Sequence, residues 1–156
     1  MHYESLLQEA RHRKVDVHEV PLLPATKGLY ADQTVWINRS LPTTDEKACI
    51  LAEELGHYYT STGNILDQSD VRNRKQERRA RQWAHERLVP LGRIVDAYHA
   101  RVKGQHEIAE FLGVTEPFLQ SALDRYKDRY GLCAFVGTRY IVIFEPLSVA
   151  ELFEPR

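Results

Sequence analysis

The chain has 156 residues, a formal net charge of -1, 43% apolar and 28% charged residues. That length supports a hydrophobic core without disulfide staples, and we read it as one domain spanning 1–156. The near-zero charge excludes a protein that coats nucleic acid or anionic membranes, while two cysteines, no apolar run of transmembrane length and a start without a signal-peptide layout predict a cytoplasmic protein.

Tyr3, Leu6, Leu7 and Ala10 recur at helical spacing and predict a helix over 3–13. Val15, Val17 and Val20 then alternate as in a strand, which Pro21 and Pro24 end. Leu29-Tyr30, Ala31-Asp32-Gln33 and Thr34-Val35-Trp36-Ile37-Asn38 read as strand, turn and strand. Thr43 and Glu46 have capping-box spacing and open a second helix, expected to reach about Thr60 before Gly63-Asn64 breaks the chain. Helices are predicted over about 70–88, ended by Pro90, and over about 91–102. Residues 103–130 hold two short helices around Gly113-Val114-Thr115. The runs 132–136 and 139–144, joined by Gly137-Thr138, predict a hairpin with a two-residue turn. The class is α+β, with helices outnumbering strands.

Within the second predicted helix, Ile50-Leu51-Ala52-Glu53-Glu54-Leu55-Gly56-His57 is one residue short of the zinc-peptidase signature H-E-x-x-H. Glu53 stands where the first histidine belongs. Ala48, Leu51, Leu55, Tyr58 and Tyr59 form one apolar face; Glu53, Glu54 and His57 fall within about 100° of one another on the opposite side. Residues four apart on a helix can share one ion, and the intervening glutamate reaches a water whose pKa zinc lowers to about 7. The plainer reading is a solvated charged face with a surface histidine.

Glu77 shares the apolar stripe of the next helix with Ala80, Trp83, Ala84 and Leu88. A carboxylate facing a core needs a partner, because burying it alone is expensive. One partner is a metal shared with His57 and Glu53; the other is an arginine among Arg72, Arg74, Arg78, Arg79 and Arg81. The pattern leaves both open.

The motif, followed by Glu77-Arg78-Arg79-Ala80-Arg81-Gln82-Trp83-Ala84-His85-Glu86-Arg87-Leu88-Val89-Pro90, resembles the ImmA/IrrE family of metallopeptidases. That family's pattern is H-E-L-G-H and then an E-x-x-A-x-x-F-A-x-x-L-x-x-P-like run. The likeness extends back through residues 28–38 and forward through 104–130. It implies a zincin-like fold, with a small antiparallel sheet packed on the active-site helix, a helical C-terminal part and a terminal β-hairpin. By the same resemblance His57 and Glu77 are zinc ligands, Glu54 is the general base, and the substrate is a helix-turn-helix repressor of a prophage, mobile element or stress response. Glu53 at the first ligand position makes the donor set harder and more anionic, so manganese or iron competes with zinc. The alternative is a metal-free protein that binds a repressor or another protein without cutting it.

His85 lies about 80° around the helix from Glu77 and is a poor co-ligand. Cys49 reads as a small buried thiol. His2, His12, His18, His99 and His106 lack ligand-like spacing and are expected at the surface. The 104–130 segment is helix-turn-helix-like, yet it offers Glu116, Pro117 and Phe118 where base-reading groups belong. Packing or protein contact is expected of it, not DNA readout. An extended substrate is expected on a sheet edge, the 34–38 strand.

Overall fold

Leu6 and Ala10, one turn apart on α1 (His2–His12), are fully buried, as the helical spacing predicts. The computed structural model to which they belong describes residues 2–60 and 71–153, with six helices and six strands among them. The chain divides into two compact units, 1–87 and 88–156. No described helix is long and apolar enough to cross a membrane.

The first unit holds β1 (Asp16–Val20), β2 (Gly28–Ala31) and β3 (Thr34–Asn38). Asp32 and Gln33 form the β2–β3 turn, both with positive φ (48° and 58°), the backbone that matches the twist of a two-residue hairpin. β3 is central: it pairs antiparallel with β2 and parallel with β1, so this sheet is mixed rather than wholly antiparallel. Val35 and Ile37 on β3 are fully buried. With both sides paired, β3 offers no edge to a substrate. The expected edge role of 34–38 therefore fails, and β1 and β2 are the edge strands.

Buried Asn38 ties the 21–27 loop to this sheet. Its Nδ2 donates to the carbonyls of Leu22, Leu23 and Thr26 at 3.4, 3.3 and 2.9 Å, and its Oδ1 accepts from Ser40 N and Oγ at 3.1 and 2.9 Å. A buried amide is tolerated because its donors and acceptors are met.

α2 (Thr44–Thr60) starts at Thr43, whose Oγ1 accepts from Glu46 N at 3.1 Å. The Glu46 side chain does not return the bond; its Oε2 is buried with no hydrogen-bond partner among the described residues, so the capping box is half made. Ala48, Leu51 and Leu55 are buried as the apolar face requires, but so are Cys49, Ala52, Gly56 and His57. α2 is thus covered on more than one side, by α1 and the sheet and by α3 (Val71–Leu88). The reading of His57 as a surface histidine is overturned: the residue is 3% exposed.

The second unit contains α4 (Leu91–His99), α5 (Gln105–Leu112), α6 (Glu116–Tyr130) and a sheet of order β4-β5-β6 (Cys133–Val136, Tyr140–Phe144, Leu147–Glu151). α4 ends earlier than expected because Arg101 turns left-handed (φ 60°) and Val102 N bonds back to Ala97 O. Gly113 is left-handed at the end of α5, and Thr115 Oγ1 caps α6 by accepting from Phe118 N at 3.2 Å. This helix pair buries Ile108, Leu112, Phe118 and Leu119. The hairpin closes on Val136 and Tyr140, so its turn has three residues rather than two, with Gly137 at φ 62°. β6 was not expected; its five mixed residues pair with β5 on one side only. The expected break at Gly63-Asn64 lies outside the described residues.

Candidate metal centre

The site is built where α2 and α3 approach each other in the first unit. Gly56 makes the approach possible: a Cβ there would stand 2.3 Å from the Ala80 carbonyl oxygen, closer than any real side-chain contact. One residue after Gly56, His57 turns toward α3, and its Nε2 lies 3.1 Å from Glu77 Oε2. Arg81, one turn on along α3, sets its Nε 3.6 Å from Glu77 Oε1. Of the partners that the pattern left open for Glu77, the arginine is therefore Arg81, while His57, with which Glu77 was expected to share a metal, lies against its other oxygen. The histidine sits on one carboxylate oxygen and the arginine on the other.

Burial raises the Glu53 carboxyl above the usual carboxylate range; Arg81 opposes the rise and Glu77 adds to it. Glu54 is pushed further, to about 7, chiefly by burial, with His57 opposing and Glu53 and Glu77 adding. Its carboxylate lies against β2, since a Cβ on Gly28 would stand 3.2 Å from Glu54 Oε1. Tyr30, two residues along β2, stacks on the His57 ring with centroids 6.4 Å apart and planes 17° apart. The edge strand β2 thus runs beside both Glu54 and His57.

This combination of an α2 motif, a partnered Glu77 on α3 and a short sheet against α2 is the pattern of one peptidase fold. The family model described as IrrE N-terminal-like domain (Peptidase_M78) matches residues 3–124. The chain belongs to that family. No curated protein and no solved structure matches the chain.

Members of this ImmA/IrrE-type metallopeptidase family are expected to carry a metal ion, usually zinc. Three half-buried carboxylates, two of them raised by their surroundings, face His57 and Arg81, with Lys27 also acting on Glu53, an excess of acid that suits a divalent cation. In geometry, two donors converge. His57 Nε2 and Glu77 Oε2 are spaced as neighbouring ligands of one ion are, each about 2.0–2.2 Å from it. Glu53 lies within electrostatic reach of both, yet among the described residues no three His, Cys, Asp or Glu side chains converge on one point.

Sequence reasoning missed Tyr30, and it did not single out Arg81 from its four arginine neighbours. Helical spacing alone carried the signal for Arg81, one turn beyond Glu77. Nothing local pointed to Tyr30, because β2 reaches α2 only through the tertiary fold. The other histidines fall mostly as expected: His12, His18, His99 and His106 are exposed and His2 half-buried, while His85 is buried at 2% exposure. Cys49 is buried, and Cys133 is exposed.

Proposed function

We propose that this metallopeptidase-family chain is an active, cytoplasmic metal-dependent endopeptidase that cleaves a helix-turn-helix repressor, with His57, Glu77 and Glu53 holding the ion and Glu54 as the general base. The observation that carries the reading is the 3.1 Å approach of buried His57 to Glu77, with Glu54 beside an edge strand. A bound divalent ion supplies a water of lowered pKa and polarises the scissile carbonyl.

Glu54 takes the proton of the attacking water and passes it to the leaving amine. Burial raises the Glu54 carboxyl in the metal-free protein, and a nearby cation opposes that rise, so the two together bring it toward the range in which a carboxyl can both take and return a proton. Glu77 would share the ion with His57 through Oε2, the oxygen nearest Nε2, and Arg81 steadies Glu77 from its other oxygen. An extended substrate segment adds to the free edge of β2, hydrogen-bonding its backbone as a further strand and passing Glu54. Zinc is the first expectation, with manganese or iron favoured to the degree that Glu53 is a ligand.

The test is incubation of the metal-loaded protein with the helix-turn-helix repressor encoded beside it. Cleavage by the wild type and its loss, by about 10²–10⁴-fold, in Glu54→Gln is the expected result. Cleavage undiminished in Glu54→Gln would sink the mechanism. Tight binding of the repressor by metal-loaded wild type with no cleavage would establish a binding protein instead.

A further inference from the structure

Among the described residues of the second unit, α4, the start of α5 and β6 enclose a cavity of about 330 Å³. Its wall is apolar: Ile94, Tyr98, Val102, Ile108, Leu147 and Val149. Ile94 and Ile108 are buried at its base, while Tyr98 is 40% exposed at its mouth. The hollow opens to the surface, since Gly104 and Ser148 complete its lining and are exposed along with Tyr98 and Lys103. Its volume falls within the range of small-molecule sites, about 300–1,000 Å³.

The rim differs in character from the wall. Lys103 lines the cavity, and a second, more open hollow shares Tyr98, Val102 and Lys103 with it and adds His99, Arg101 and Glu151. Lys103 and Arg101 are exposed and make no ion pair among the described residues; of the nearby carboxylates, Glu151 lies 4.0 Å from Arg139, and Glu107 lies beside Gly104, where an added Cβ would stand 2.6 Å from its Oε2. The 100–104 loop that carries both cations is pinned by Arg101 N to Tyr98 O and Val102 N to Ala97 O, each 3.0 Å. An apolar chamber with two uncommitted cations at its lip is complementary to one class of molecule.

We propose that this cavity binds a small amphipathic anion, an apolar chain or ring carrying one carboxylate, with the apolar part between Ile94, Ile108 and Val149 and the charge at Lys103 and Arg101. Burial of the apolar part supplies most of the affinity, at roughly 25 cal/mol per Å² of apolar surface removed from water. The charge supplies selection, because N–H donors on a cation bind a carboxylate more strongly than a neutral hydroxyl. Every lining residue belongs to the second unit, and the inference does not depend on the metal centre.

The test is an amide-resolved NMR titration of the full chain with octanoate, with 1-octanol and with acetate. Octanoate is expected to shift the amides of 94–104, Ile108 and 147–149 saturably, 1-octanol to do so more weakly, and acetate not at all. Lys103→Gln is expected to weaken octanoate by about fivefold to tenfold and leave 1-octanol unchanged. Filling the chamber with Ile108→Trp is expected to abolish both; Val149→Trp, at the more open wall, serves the same purpose if the first variant fails to fold. Absence of saturable shifts with octanoate overturns the proposal. So does octanoate binding that survives a folded chamber-filling variant, or that is indifferent to Lys103→Gln.

Discussion

His57 and Glu77 lie on different helices, yet His57 Nε2 stands 3.1 Å from Glu77 Oε2 with the histidine almost wholly buried. The contact joins the two halves of the motif, and in the proposed site Glu77 shares the ion with His57. Glu77→Gln keeps the shape and removes the charge. Metal affinity, read by calorimetry against a competing chelator, is expected to fall by at least the tenfold to hundredfold typical of losing an outer-shell partner, about 10–100. Retention of one tightly held ion per chain in the variant would exclude Glu77 as a ligand.

Glu53 occupies the place of a histidine, and its carboxyl is raised by burial and by Glu77. Glu53→His is expected to shift preference toward zinc and away from manganese, with zinc affinity rising by about tenfold or more, equivalent to about 1.4 kcal/mol. Paired titrations with the two ions measure the shift. An unchanged zinc-to-manganese ratio would show that residue 53 does not reach the ion.

Gly56 and Gly92 predict opposite responses to alanine. At Gly56 a Cβ would meet the Ala80 carbonyl oxygen at 2.3 Å, so α3 must move. Overpacking of about 1–3 kcal/mol outweighs a helix-propensity gain of up to about 1 kcal/mol, and thermal unfolding should shift downward. At Gly92 nothing lies within 4 Å of the added Cβ, and the substitution in α4 should stabilise by about 0.5–1 kcal/mol. Unfolding curves of the two variants provide the comparison; a stable Gly56→Ala protein with intact metal affinity would contradict the close approach.

The metal-free protein should lose stability as pH rises toward neutrality. Glu54 titrates at about 7 in the fold against an ordinary value of 4.5, so between these pH values the folded state holds more protons than the unfolded chain. Stability then falls with rising pH: the full contribution is present below 4.5 and is lost through about 7. The raised Glu53 carboxyl acts in the same direction. Urea midpoints measured in chelator across this range should fall for the wild type and fall less for Glu54→Gln. Parallel profiles would show that the Glu54 carboxyl is not raised by its surroundings.

Local rules settled most of the elements. Helical spacing placed α1 and α3 and the apolar face of α2, Thr43 and Thr115 marked two helix starts, and the Asp32-Gln33 turn marked the β2–β3 hairpin. These signals depend on residues within one or two turns of each other, and short-range sterics and hydrogen bonding decide them wherever they occur. The 53–57 string and the run from Glu77 to Pro90 also carried the resemblance to the family to which the chain belongs.

What lay beyond the sequence depends on contacts between segments distant along the chain. Whether β3 was an edge or a centre turned on β1 joining it in parallel, and that choice moved the free edge to β2 beside Glu54. Which arginine met Glu77 turned on helix packing too: Gly56 lets α3 approach closely enough for His57 Nε2 to reach one Glu77 oxygen while Arg81 takes the other. Periodicity reports which face of a helix is apolar, but not what covers the opposite face. His57 was open to two readings in the sequence for that reason, and the packing of α3 against α2 made it a buried partner.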